Sequence, residues 1–162
     1  MTPLWRLQQG GKGKARRVPL RRYNTQDFKS WLSWFLSQEG VEDELDKSLE
    51  SVRKEIMRDV WDSPAWEQFG DYRCRSGNLV FGIFVDWYNP FTNKIAGKKM
   101  SLGIILLVCY SLPEPLRWLE PNLFALGITP GLKEPTVKTF NHLLQRPMEV
   151  IGSFEKGQMI NT

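Results

Sequence analysis

Apolar positions recur at helical spacing in the first third of the chain. Phe28, Trp31, Leu32, Phe35 and Leu36 fall at i, i+3, i+4, i+7 and i+8, one stripe along a helix. Asn24-Thr25 can cap this helix from Gln26 onward, and Gly40 supplies its stop. Val41, Leu45, Leu49, Val52 and Ile56 mark one face of a second helix, expected over 41–57. Its other face mixes acidic and basic residues, the pattern of a solvated surface with weak ion pairs. The two read as a helical hairpin, followed by a loop through Asp62-Ser63-Pro64 and Gly70-Asp71.

The period then changes. Leu79 to Val85 is a short apolar run, β-branched and aromatic, with polar and Gly residues on both sides. Such a run predicts a strand buried on both faces. It ends on Asp86 and turns at Asn89-Pro90. The polar, basic stretch Thr92–Lys99 suits a hairpin connection to a second strand over about Met100–Ser111. Pro113 and Pro115 interrupt the chain, since neither can donate to a ladder, and Leu116–Leu119 has room for one helical turn. A third strand is expected over Asn122–Ile128, ending at Thr129-Pro130-Gly131. Pro135 or Thr136 then opens a helix carrying Val137, Phe140, Leu143, Leu144 and Met148. The order from Asn78 onward is strand, strand, strand, helix. The class is α/β in the mixed α+β sense.

Composition narrows the function classes. The 162 residues are 41% hydrophobic and 12% aromatic, enough for one domain with a core and inconsistent with a wholly disordered chain. The longest apolar stretch, Leu102 to Tyr110, falls far short of the ~20 residues a spanning helix requires. Basic residues near the N-terminus have no apolar segment after them, so no secretory signal is expected and an intracellular, non-membrane setting is. Cys74 and Cys109 lie far apart without metal-ligand spacing, which points to a reducing compartment and no disulfide framework.

The net charge of +4 hides an asymmetry. Residues 1–22 carry seven basic side chains and no acidic one, whereas the remainder has 15 basic against 18 acidic. The stretch GGKGKARR is polar and Gly-rich, and reads as a flexible basic arm. Lys12, Lys14, Arg16, Arg17, Arg21 and Arg22 can track phosphates there, or serve only to solubilise. Lys94, Lys98 and Lys99 add a second basic group between the first two strands.

A strand-ending Asp such as Asp86 either caps the turn that follows or holds chemistry at the sheet edge. Lone His142 reads as a surface or partly packed residue. The tryptophans are spread over different elements, which suits packing, although Trp87 and Tyr88 beside Asp86 could approach a nucleic-acid strand.

Beyond pattern, three phrases in order carry a family resemblance. They are Asp86-Trp87-Tyr88-Asn89-Pro90-Phe91, Leu112-Pro113 with Leu116, and Ile128-Thr129-Pro130-Gly131 with Pro135. Over about residues 19–150, including the leading stretch Arg21 to Gly40, the chain resembles transposases of CACTA-type (En/Spm-like) DNA transposons, especially copies abundant in basidiomycete fungi. The resemblance implies an RNase H-like DDE/D nuclease acting in the nucleus, with Mg²⁺ or Mn²⁺ held by carboxylates for in-line cleavage and strand transfer. Asp86 matches the first carboxylate.

The family's second and third carboxylates have no counterpart here, and Glu134, Glu149 and Glu155 do not fit those places. No C-x-x-C remains of a zinc-ribbon-like segment that usually precedes this region. Three units are therefore expected: a basic arm over 1–22, a helical hairpin and linker over 23–72, and an incomplete RNase H-like β-β-β-α unit over 73–162. The expected function is that of a truncated transposase-derived protein, catalytically inactive alone. The alternative is a regulatory fragment that binds DNA, pairs with full-length transposase, or self-associates through open sheet edges.

Overall fold

The computed structural model describes residues 5–9, 15–19, 23–49, 56–89, 101–129 and 134–160. Within them the chain is mixed α+β, with two antiparallel sheets.

The first sheet corrects the expectation of an arm without regular structure. Strands β1 (Trp5–Gln9) and β2 (Ala15–Pro19) pair as an antiparallel ribbon, with Leu7 opposite Arg17 and Gln8 opposite Arg16. By period 2, Arg16 and Val18 of β2 share one face and Ala15 and Arg17 the other, with no apolar face set apart. The Gly-rich stretch between the strands lies outside the described residues.

Helix α1 (Phe28–Leu36) follows the predicted stripe, but its cap is Asp27, not Asn24 or Thr25. The Asp27 carboxylate accepts from the Ser30 backbone N–H at 2.8 Å, and this bond holds its pKa below the ordinary value. Asn24–Thr25 instead forms the short strand β3. Helix α2 is described over Val41–Leu49, and residues 50–55 lie outside the described ones. Residues 56–58 are not helical and Ile56 is exposed, so the apolar period through Ile56 is no guide to the helix end. Val52 lies outside the described residues.

The segment read as a loop is two 3-10 stretches, Val60–Asp62 and Pro64–Cys74. Gly70 breaks the second with φ +52°, a left-handed backbone that other residues adopt only at a cost.

Three longer strands form the second sheet: β4 (Phe81–Tyr88), β5 (Leu102–Cys109) and β6 (Leu123–Thr129). The short helix α3 (Glu114–Arg117) lies between β5 and β6. Sheet order is β3-β6-β5-β4, every pair antiparallel, with a bulge at Leu126 of β6 opposite the Ile105–Leu106 step of β5. Helix α4 (Val137–Gly152) starts where expected, the Thr136 hydroxyl accepting from Thr139 N, and it runs on through Pro147. The order strand, strand, strand, helix is as predicted.

The core lies on one face of this sheet. α1 lays Phe28, Trp31 and Phe35 over it: Phe28 meets Phe81, Phe124 and Phe154 edge-on at 5.6, 5.3 and 5.5 Å, and Trp31 stacks on Phe35 at 4.9 Å. Ile105, Leu107 and Cys109 of β5 and Phe124 and Leu126 of β6 complete the buried cluster. From α4 and beyond it, Phe140, Leu144, Val150, Ile151 and Phe154 pack against the same cluster. The expected α4 stripe is therefore partly rotated: Val137 and Met148 are exposed.

Candidate functional site

Asp86 lies within β4, opposite Ile104, and not at its end. Alternation along β4 puts Phe81, Val85 and Trp87 on the face covered by α1 and α4, and Gly82, Phe84, Asp86 and Tyr88 on the other. Ring contacts agree with this division. Trp87 meets Phe140 of α4 at 6.0 Å, whereas Phe84 meets Trp118 at 5.1 Å and Tyr110 at 6.3 Å. Asp86 is thus an exposed carboxylate on the face away from α1 and α4, with the exposed Tyr88 and Ile128 near it in register.

One Asp86 oxygen accepts from the backbone N–H of Trp87 at 2.8 Å. Of the two aromatics expected to approach a nucleic-acid strand, Trp87 points into the core and only Tyr88 stays on the face of Asp86. Gly103 makes that inward position possible, since a Cβ there would come within 2.6 Å of Trp87 Nε1.

Among the described residues, no group of three or more His, Cys, Asp or Glu side chains converges as a metal site. Asp86 therefore belongs to no such carboxylate group among the described residues. Glu134, Glu149 and Glu155 are exposed, Glu149 accepting from Gln145 Nε2 at 3.1 Å, and His142 is exposed on α4. The described residues do not fit a two-ion centre.

Of the basic candidates, Arg16 and Arg17 lie in β2, both exposed, and alternation points them to opposite faces of the ribbon. Lys12, Lys14, Arg21, Arg22, Lys94, Lys98 and Lys99 lie outside the described residues.

A second feature was not anticipated from the sequence. An open groove of about 810 Å³ runs between the 3-10 segments and the start of β4. Its walls include Trp61, Trp66, Phe69, Tyr72 and Phe81, with Glu67 and Glu155 as the carboxylates. The rings run in series, Trp61 to Trp66 at 4.5 Å and Trp66 to Phe69 at 5.3 Å.

Both ends of the aromatic wall are tied down. Trp61 Nε1 donates to Tyr110 O at 2.9 Å, and Asn78 Nδ2 donates to Tyr72 O at 2.8 Å. Behind Trp61, the buried Arg117 guanidinium grips the Asp59 carboxylate through two bonds of 2.5 and 2.7 Å, and its Nε donates to Leu112 O at 2.7 Å. Asp59 in turn accepts from Val60 N at 2.6 Å, fixing the turn that presents Trp61. The only hint of this wall in the sequence was four aromatics within twelve residues of a stretch read as loop.

No protein-family model, curated protein or solved structure matches the chain. Among the described residues no helix is long and apolar enough to cross a membrane.

Proposed function

We propose that this chain carries the opening part of a DDE/D-type transposase catalytic domain, RNase H-like in plan, with Asp86 as its first metal-ligating carboxylate. The observation that supports this reading best is the exposed Asp86 on the face of β4 away from α1 and α4, in the first strand of a β-β-β-α order. A two-ion centre of the transposase kind requires several carboxylates around the scissile phosphate. The described residues offer one, so no cleavage step follows from them. An Mg²⁺ or Mn²⁺ ion on a single carboxylate keeps most of its water and is weakly held. By itself the chain binds DNA without cutting it, and its place of action is the nucleus.

A second reading, a regulatory fragment acting through DNA binding, is favoured by the exposed Arg16 and Arg17 on β2. A two-stranded ribbon is narrow enough to enter a major groove, and each phosphate contact adds counterion release to affinity. Pairing with intact transposase through the outer edge of β4, which has no partner strand among the described residues, is the corresponding protein interaction.

Mn²⁺ titration followed by amide NMR tests the role of Asp86. Paramagnetic broadening centred on Asp86 and Ile104, at millimolar Mn²⁺ and lost in Asp86→Asn, is the expected result. Broadening unchanged by that substitution would remove Asp86 as a ligand. Salt-dependent binding to a labelled duplex tests the ribbon: replacing Arg16 and Arg17 with Ala lowers the log–log slope by about 1.8 if both contact phosphate. Divalent-dependent nicking of plasmid by the purified chain would overturn the inactive reading.

A further inference from the structure

We propose that two copies of this chain join through the outer edge of β4, antiparallel about a two-fold axis at Ile83. This pairing rests on the regulatory reading for its open edge, names a second copy as the partner, and requires neither DNA nor a metal at Asp86.

An antiparallel strand turns the N–H and C=O groups of successive residues alternately toward and away from its neighbour. Tyr110 N donates to Val80 O at 2.8 Å, so the even-numbered residues of β4 face β5. On the far side of β5, Gly103 N donates to the Thr129 hydroxyl of β6 at 3.0 Å, as the same alternation requires. Phe81, Ile83, Val85 and Trp87 therefore turn their backbone groups outward. Among the described residues no strand pairs with that edge.

The Trp87 end of the edge is already closed. Trp87 N donates to the Asp86 carboxylate at 2.8 Å, which leaves Phe81, Ile83 and Val85 as the open stretch. Opposite residues of an antiparallel pair share a face, so the two-fold axis must pass through a residue and not between two. An axis at Phe84 would set Phe81 opposite Trp87 of the copy, and an axis at Val85 would set Ile83 there. Both need the N–H that Asp86 holds. An axis at Ile83 sets Ile83 opposite its own copy and Phe81 opposite Val85, each pair exchanging two bonds.

The side chains fit this register. Phe81 and Val85 pack against the buried cluster, but Ile83, on the same face between them, stays 45% exposed. At the axis it meets its copy, the Cα atoms about 5.5 Å apart. The stretch Phe81–Val85 has no charge, proline or bulge, the devices that ordinarily keep an edge from pairing. At the opposite side of the sheet the edge strand β3 has only two residues.

The test uses the full chain without DNA. Sedimentation velocity over a wide concentration range is expected to show monomer passing to dimer and to nothing larger. Ile83→Lys, which sets two cations face to face at the axis, is expected to weaken the dimer at least tenfold. Ile83 is exposed, and an unaltered far-ultraviolet circular-dichroism spectrum verifies that the variant folds. In a Cys74→Ser background, which removes the exposed thiol, Ile83→Cys is expected to oxidise to a linked dimer, since its Cα separation suits a disulfide. Tyr88→Cys, whose copies would lie about 34 Å apart, is expected to stay unlinked. A monomer at every concentration, a ladder of larger species, a dimer that Ile83→Lys leaves unchanged, or Tyr88→Cys linking as readily as Ile83→Cys would overturn the proposal. Each of these would leave DNA binding by the ribbon standing, because the salt slope of duplex binding reads that separately.

Discussion

The pair Asp59–Arg117 offers the sharpest check on the wall of the groove. Arg117 keeps 4% of its side-chain surface, whereas Asp59 keeps 26%. Removing one partner of a buried pair costs about 3–5 kcal/mol, because the other charge is left without compensation. The two partners should not be equivalent. Asp59→Ala leaves a guanidinium out of water with Leu112 O and the Tyr110 ring but no carboxylate, and also strips the cap from Val60, so a loss of about 4–5 kcal/mol is expected. Arg117→Met fills much of the vacated volume and leaves a carboxylate that water can still reach, so about 2–3 kcal/mol is expected. In the double variant neither charge is orphaned, and the coupling should be at least about 2 kcal/mol.

Against a total stability of about 5–15 kcal/mol, these differences move a urea midpoint well outside error. The assay is urea unfolding followed by far-ultraviolet circular dichroism for the four proteins, with m-values compared. Repeating it at high salt should leave the order unchanged, since buried pairs are poorly screened. An Arg117→Met loss equal to or larger than that of Asp59→Ala would refute the reasoning. So would a double variant that shows simple additivity.

The two cysteines should behave differently. Cys74 is exposed, whereas Cys109 is fully buried in β5 and burial pushes its thiol up to about 11. A thiol reagent should therefore modify one cysteine in the native protein and two in denaturant; two reacting natively would mean that the β5 core opens freely. Tyr23 makes the other case: its hydroxyl is buried without a partner among the described residues, and burial raises its pKa to about 12. A group whose folded pKa is raised contributes stability below its ordinary value and loses it as pH rises through the folded one. For Tyr23 that window is from pH 10 to about 12, and for Cys109 from pH 9 to about 11, so the urea midpoint should fall above pH 9. Tyr23→Phe should stabilise the fold at neutral pH by about 1 kcal/mol, by removing an unsatisfied hydroxyl, and should flatten the part of the alkaline fall above pH 10. A destabilised Tyr23→Phe would show that the hydroxyl has a partner.

Local periodicity made several elements legible. The α1 stripe carries Phe28, Trp31, Leu32 and Phe35 into the core as spaced, because a 3.6 repeat makes one face of any helix apolar before it meets anything. The β-β-β-α order and the Thr136 cap were legible for the same reason: strand runs, proline breaks and capping hydroxyls act over a few residues. Less was legible where local signals compete. The apolar period through Ile56 outlasts the helix, and Asp27 wins the cap over Asn24 and Thr25 because those two pair with β6. The β1–β2 ribbon escaped notice since its strands are short and polar, with little apolar alternation to betray them.

The sequence by itself determined that an apolar strand carries an acidic residue near its end, that two more strands and a helix follow, and that positive charge gathers before residue 23. Tertiary structure alone decided which side of the sheet is dry. Period 2 separates Asp86 from Trp87, but only the packing of α1 and α4 sends Trp87 inward and leaves Asp86 in water. It alone also joined Trp61, Trp66, Phe69 and Tyr72 to Phe81 and to Glu155, residues up to 94 positions apart, around one groove. A pattern read along the chain reports each residue's preference for water; which distant surfaces close against each other depends on how the whole apolar area is buried at once.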